Sequence, residues 1–403
     1  MSIEPLLKSK INSVIGLYSK GQIQEALDAV ETLTKSYPNE ALLFNISGAC
    51  FAGLRQLGNA VKSYEKALTI KPDYAEVHYN LGVTLQELGQ LNAAVKSYEQ
   101  ALAIKPDYAI ACNNLGFTLQ ELGQLNAAVK SYEQALAIKP DYADVHNNLG
   151  NTLKDLGQLD AAVKSYKQAL AINPDYADAH NNLGVTLQEL GQQDAAVKSF
   201  EQALTIKSDF ADAHYNLGNV LKKLNQLDAA VKCFEQALAI KPDYADAHNN
   251  LGNALKDLGQ LDAAIKCYEK AVAIKPDYAQ VHQNHGSAMK RLKQLDKALT
   301  SFERALVLNP ELNFLLGNLL HSKMHLCVWD DLSSQLDELQ NKINNNEKVI
   351  EPFSMLGLID DPEIQRKTAE IFANKNYPKN HDLPRIGLYP KHKKIRIGYF
   401  SAD

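Results

Sequence analysis

The chain has 403 residues, more than one globular core usually holds, and its 45 % hydrophobic and 22 % charged residues are too apolar for a disordered polypeptide. A formal net charge of -5 argues against general nucleic-acid binding, which needs a basic field to replace phosphate counterions. No stretch is long and apolar enough to span a bilayer, and Glu4, Lys8 and Lys10 interrupt the N-terminus where a signal peptide needs an apolar core. The expectation is a cytoplasmic protein with no nucleic-acid and no membrane partner. Cys50, Cys112, Cys233, Cys267 and Cys327 form no CxxC spacing, so they read as reduced, partly buried thiols.

In chain order, residues 7–40 place Gly21, Ala26 and Pro38 at spacings that recur later, with Val14 where later segments carry glycine, and read as a degenerate capping copy. Eight units of 34 residues follow over 41–312, marked by Gly82, Gly116, Gly150, Gly184, Gly218, Gly252 and Gly286 in Asn-Leu-Gly or Asn-His-Gly. In the unit 75–108, Leu81, Leu85 and Leu88 stripe a first helix that Asp73 is expected to cap and a left-handed Gly89 to end. Asn92 is expected to cap the second helix, where Ala94, Tyr98 and Ala101 share a face, and Pro106 to stop it. Ser208 replaces proline in 177–210, which predicts a weaker stop there. This cycle resembles the tetratricopeptide repeat. The resemblance implies an all-α, right-handed tetratricopeptide superhelical solenoid whose long surfaces bind rather than catalyse, with first helices lining the inner groove.

Residues 85–109 and 119–143 are identical, so the informative positions are those where the copies differ. They lie on the first helix, at Tyr79/Asn113/Tyr215/Gln283, Val83/Phe117/Asn151/Ser287 and Glu87/Lys223/Arg291. One position there does not vary: Asn80, Asn114, Asn148, Asn182, Asn216, Asn250 and Asn284, each two residues before its glycine. An asparagine amide can pair with both N–H and C=O of a peptide backbone, and helices stacked about 10 Å apart would meet an extended peptide roughly every third residue. The seven asparagines are therefore candidate substrate-binding residues; the competing reading is that they only tie neighbouring helices together. Glu87, Glu121 and Glu189 give way to Lys222, Lys223, Lys256, Lys290 and Arg291, which predicts acidic or phosphate-bearing ligands at the C-terminal repeats unless these are simply solvated helix charges.

Histidines recur once per repeat at His78, His146, His180, His214, His248 and His282, too far apart for a shared metal. His321, His325 and Cys327 could face one ion from a helix, but no fourth ligand is evident and no metal is expected. No Walker loop, GxGxxG, HExxH or GxSxG occurs. The residues before the ladder asparagines include no lysine, against a clamp for an acidic chaperone tail.

Beyond Pro310 the periodicity ends, and 313–392 reads as a helical and loop linker with helices over 312–329, 332–343 and 362–373. Lys394 to Phe400, within 393–403, reads as one strand. The stretches Lys323-Met-His-Leu-Cys-Val-Trp-Asp-Asp331, Glu351-Pro-Phe-Ser-Met355, Asp360-Asp-Pro-Glu-Ile-Gln365 and Lys394-Ile-Arg-Ile-Gly-Tyr-Phe-Ser-Ala-Asp403 resemble the region where the catalytic part begins in protein O-GlcNAc transferases and Spindly-like enzymes, glycosyltransferase family 41. The resemblance implies that the strand is the first, truncated piece of a Rossmann-type lobe. It also implies a parent enzyme that moves GlcNAc from UDP-GlcNAc to Ser or Thr of proteins held by the asparagine ladder. The family's catalytic histidine motif and nucleotide-sugar pocket follow the strand, so no catalytic residue and no cofactor is assigned to this chain, which should not transfer sugar by itself. The expected partners are protein or peptide substrates in the groove, with self-association through the repeats as a further expectation. The rival is a stand-alone interaction scaffold with no enzymatic parent.

Overall fold

In the computed structural model, which describes residues 3–376, all regular structure is helical. The chain falls into two units, Met1–Pro242 and Asp243–Asp403. The first opens with α1 (Ile3–Ser19) and α2 (Ile23–Ser36) and continues in antiparallel pairs: α3 (Ala41–Gly53) with α4 (Leu57–Ile70), α5 (Ala75–Glu87) with α6 (Leu91–Ile104), and α7 (Ala109–Glu121) with α8 (Leu125–Ile138). Then come α9 (Ala143–Asp155) with α10 (Leu159–Ile172), α11 (Ala177–Glu189) with α12 (Gln193–Ile206), and α13 (Ala211–Lys223) with α14 (Leu227–Ile240). The second unit holds the pairs α15 (Ala245–Asp257) with α16 (Leu261–Ile274) and α17 (Ala279–Arg291) with α18 (Leu295–Leu308), followed by α19 (Leu315–His325), α20 (Leu332–Asn344), α21 (Pro352–Met355) and α22 (Pro362–Asn376).

A glycine and an aromatic ring hold each pair together. Ala94, Tyr98 and Ala101 of α6 are fully buried, and the Tyr98 ring packs against Gly82 of α5, where an added Cβ would stand 2.7 Å from the ring. The same fit joins Gly116 to Tyr132, Gly150 to Tyr166, Gly184 to Phe200, Gly218 to Phe234, Gly252 to Tyr268 and Gly286 to Phe302. Tyrosine needs a partner for its buried hydroxyl: Tyr98 donates to Gln86 Oε1 at 3.0 Å, and Tyr166 to Asn151 Oδ1 at 2.7 Å.

The turns depart from the expected caps. α5 starts after Tyr74, not Asp73, and no side chain caps it. The ring of Tyr74 takes the position instead, with Lys71 Nζ 4.7 Å above it, while His78 Nε2 binds the Pro72 carbonyl at 2.9 Å. Asp73 stays in solvent. The recurring histidines thus close the turn between repeats: His146, His180 and His282 meet Pro140, Pro174 and Pro276 in the same way, and His214 meets the carbonyl of Ser208 at 3.0 Å. Asn92 is likewise not a cap, because α6 starts at Leu91 with Gln90 before it and no side-chain cap bond. At the position of Asn92 later repeats carry Asp160, Asp194, Asp228 and Asp262, whose charge in the first turn complements the helix dipole. α12 ends at Ile206 although Ser208 replaces proline, because Lys207 leaves helical geometry at φ -131 while its N–H closes on Ala203. Gly89 is left-handed at φ 72 as expected, yet Arg55, Asn225 and Lys293 hold the equivalent turn at φ 59 to 61 without glycine's freedom.

α19 is shorter than the expected 312–329 helix. Phe314 at φ 62 starts it and Cys327 at φ 56 lies just past its end. The segment 348–350 returns against its first turn, where the N–H groups of Phe314 and Gly317 bond the carbonyls of Lys348 and Val349. A Cβ on Gly317 would meet the Ile350 backbone at 2.8 Å. The expected helices at 332–343 and 362–373 correspond to α20 and α22, and Pro352 occupies the first turn of the unforeseen α21. The strand expected at 394–400 lies outside the described residues. Among those residues no helix is long and apolar enough to cross a membrane.

Candidate polypeptide-binding face

Successive first helices touch each other: α3 with α5, α5 with α7, α7 with α9, α9 with α11 and α11 with α13 in the first unit, and α15 with α17 in the second. Among the described residues no two successive second helices within either unit do so, which puts the first helices on the tighter side of each unit. Along a first helix, residues two, five, six, nine, twelve and thirteen face this side, a spacing set by 3.6 residues per turn.

The asparagine ladder lies here, half-buried, and its amides join one repeat to the next. Asn80 Nδ2 donates to Asn45 Oδ1 at 3.0 Å, Asn114 Nδ2 to Tyr79 Oη at 3.2 Å, and Asn148 Nδ2 to Asn113 Oδ1 at 3.2 Å. Asn182 and Asn216 make the same bond to Asn147 and Asn181 at 3.1 Å, and in the second unit Asn284 bonds Asn249 at 2.9 Å. Asn250 accepts from Asn249 Nδ2 at 3.0 Å. One N–H of each of these six donors is therefore spent within the stack, and an amide has two N–H and an acceptor oxygen. The acceptors Tyr79, Asn113, Asn147, Asn181 and Asn249 each stand just before a ladder asparagine and serve the following repeat, whereas Gln283 donates instead to the Asn313 carbonyl at 2.7 Å.

A second row of contacts runs along the far ends of these helices. Gln86 Oε1 accepts from Thr118 Oγ1 at 3.1 Å while its Nε2 donates to Glu121 at 3.2 Å, and Gln120 repeats this with Thr152 at 3.0 Å and Asp155 at 3.3 Å. Arg55 pairs with Glu87 at 3.1 Å across an exposed gap, which contributes little by itself. Of the C-terminal cations, Lys290 donates to Asn318 Oδ1 at 2.9 Å and is half-buried, and burial lowers its pKa. Arg291 donates to the Lys256 carbonyl at 3.4 Å. Lys222 and Lys223 close α13. Asn284 opens onto a cavity of about 430 Å³ shared with Lys256, Gln280, Ser287 and Asn318.

Away from this face, His285 stands where the six preceding repeats, from Leu81 to Leu251, carry leucine. Its Nδ1 bonds Ser301 Oγ at 2.9 Å, and burial pushes its pKa down. His321 and His325 approach Nε2 to Nε2 at 3.3 Å, and burial, with Lys290 and His325 nearby, lowers the pKa of His321 to about 4. Cys327 is exposed beyond them, and no group of three His, Cys, Asp or Glu side chains able to hold a metal occurs among the described residues. Cys50 and Cys112 are buried and Cys233 and Cys267 partly so, all as free thiols. The Lys323–Asp331 stretch forms the end of α19 and the turn before α20, while Glu351–Met355 and Asp360–Gln365 open α21 and α22.

Sequence reasoning passed over Ile110. It is 40 % exposed at a position where α5, α9, α11, α13 and α15 all carry a carboxylate, and Phe117, two turns on, is 43 % exposed. Comparing each repeat with its sisters at the second helical position would have found it.

Segments 55–89, 84–123, 121–157, 150–191, 187–225 and 218–259 match the TPR repeat family, and 245–278 and 279–312 match the tetratricopeptide repeat, together more than half of the chain. Among curated proteins, the peroxisomal targeting signal receptor of Saccharomyces cerevisiae is 31 % identical over 77 residues, covering 19 % of this chain and 13 % of the receptor. That of Candida glabrata is 31 % identical over 87 residues, covering 19 % and 15 %. The match thus spans less than a sixth of either receptor. Similar solved structures include MamA, at 29 % identity and TM-score 0.39 over 40 % of this chain and 95 % of MamA. YrrB, described as a TPR protein with an unusual peptide-binding site, is 24 % identical with TM-score 0.43 over 49 % and 99 %. Repeat by repeat and over most of its length, the chain belongs to the tetratricopeptide repeat family.

Proposed function

We propose that this chain is a protein-interaction scaffold that holds an extended segment of a partner polypeptide along its first-helix face. The observation that carries the reading is where near-identical repeats differ: the second helices are almost constant, while Val83, Phe117, Asn151 and Ser287 replace one another on the first. The partial likeness to targeting signal receptors agrees with capture of a polypeptide segment. In this reading the ladder amides offer the partner backbone the N–H and oxygen that the inter-repeat bonds leave over.

The test separates binding from stacking. Asn147→Ala removes the acceptor of Asn182 but leaves the Asn182 amide on the face, whereas Asn182→Ala removes both. Peptide-array binding that survives the first change and falls with the second, at equal helicity, supports recognition by the ladder. Equal losses would make the ladder a tie between repeats alone.

A second reading assigns the scaffold to protein O-glycosylation, with the chain presenting Ser or Thr hydroxyls to a catalytic part that uses UDP-GlcNAc. Its support is the resemblance carried by Lys323–Asp331, Glu351–Met355, Asp360–Gln365 and Lys394–Asp403. Only positioning of the acceptor would reside here. Reading the gene past codon 403 decides it: a histidine-bearing loop and a second Rossmann pattern favour the enzyme, and a stop favours the scaffold.

A further inference from the structure

We propose that α7 forms an anchor subsite for a basic segment of a partner polypeptide, with two large apolar side chains about three residues apart and lysine or arginine on either side. The inference rests on the scaffold reading above and adds the chemistry of the occupant.

Three observations carry it. First, Ile110 stands where other repeats place a carboxylate that serves the stack: Tyr278, at the end of the same repeat and just before α17, donates to Asp246 at this position. Replacing that acid by isoleucine gives up a hydrogen bond and exposes apolar surface. Phe117 replaces the alanine, valine, asparagine or serine of its sisters and is also exposed. Second, Ile110 and Phe117 lie seven residues apart on one helix face, about 10.5 Å along the axis, which an extended chain covers in about three residues. Asn114 lies between them, and its amide holds Tyr79, whose ring packs on Tyr108 at 5.2 Å between centroids. The result is two exposed anchors with aromatic walls and a polar amide between.

Third, acid predominates on the first helices around the subsite, although Lys105 Nζ lies 4.6 Å over the Tyr108 ring at its edge. The first helices α5, α7, α9 and α11 contain seven carboxylates and a single cation, Lys154. All seven carboxylates are exposed, and only Glu87 is matched by an ion pair to arginine among the described contacts. Acid on both flanks of an apolar patch selects against acidic partners and draws basic ones by long-range attraction. The second unit lacks this combination: at the corresponding positions α15 and α17 carry Asp246, Asn253, Gln280 and Ser287, with Lys256, Lys290 and Arg291 nearby.

Fluorescein-labelled synthetic peptides provide the test. One has a Phe-x-x-Leu core flanked by lysines, one the same core flanked by glutamates, and one serines in place of the core within lysine flanks. The full chain should bind the first by anisotropy and the other two at least tenfold more weakly, with binding that weakens as salt rises. Ile110→Asp with Phe117→Asn, residues that sister repeats already carry, should weaken the first peptide by about ten- to a hundredfold at unchanged helicity. Ile110→Gln with Phe117→Ser, copied from 279–312, repeats the test if the first pair perturbs folding. Equal binding by wild type and both variants, or tighter binding of the glutamate-flanked peptide, overturns the subsite and leaves the scaffold reading standing. Binding of no peptide from a random array would remove the scaffold reading itself.

Discussion

Second helices and first helices answer to different constraints. In α6, α8 and α10 the buried set is the same, Ala, Ser, Tyr and Ala, because each ring must fit a glycine of the facing helix with no room to spare. In α5, α7 and α9 the buried Leu, Gly, Thr and Leu repeat as faithfully, while the exposed positions change. The difference teaches that one half of the repeat is fixed by packing, whereas part of the other is free to be shaped by a ligand.

The strongest challenge to that contrast is Tyr166→Ala, which empties the seam against Gly150 and should cost about 3–5 kcal/mol in a urea titration. Phe117→Asn, on the exposed side, should stay within about 0.5 kcal/mol. Similar losses for the two would end the distinction. A smaller effect is expected at the ladder: Asn148→Ala should cost about 1 kcal/mol through its bond to Asn113, and a double-mutant cycle with Asn113→Ala should place that cost in the pair. At the turn, Lys293→Gly should raise stability by about 0.5–1 kcal/mol, because lysine holds φ 61 there and glycine tolerates it. A thermal melt no higher than wild type would show that the neighbouring contacts absorb the strain.

The interior also sets the pH response. Burial raises the thiol pKa of Cys50, Cys112 and Cys233 from 9.0 to about 11. The folded state therefore holds protons that the unfolded state releases, so this contribution is full below pH 9 and lost as pH rises through about 11. Stability should fall over that window, and at pH 8 a thiol reagent should label exposed Cys327 well before Cys50 and Cys112. Rapid labelling of all five cysteines would contradict the burial.

Helix pairing was legible in the sequence because the 34-residue period writes the Gly–aromatic fit directly into the chain. The caps were not: Asp73 has the right chemistry, but the Tyr74 ring and the His78 bond to Pro72 govern the turn through contacts that residue type does not announce. Neither was the left-handed turn at Arg55, Asn225 and Lys293, since the position rather than the residue imposes it. The ladder was visible as a pattern, but the choice of Asn113 or Tyr79 as acceptor depends on how neighbouring repeats are set against each other. The return of 348–350 onto α19 joins residues far apart in an aperiodic stretch, where no repeat points to the partner.

The bond from six of the ladder amides to the repeat before them bears on how such a chain can grow. Donor and acceptor occupy adjacent positions of one template, so any copy inserted in frame arrives with both halves of its joints already made. Either a phenol or an amide serves as the receiving group, as Tyr79 and Asn113 show, so unequal recombination between identical stretches such as 85–109 and 119–143 can add or delete whole modules without creating a mismatched junction. Reach can then change in steps of 34 residues while the joint chemistry stays constant.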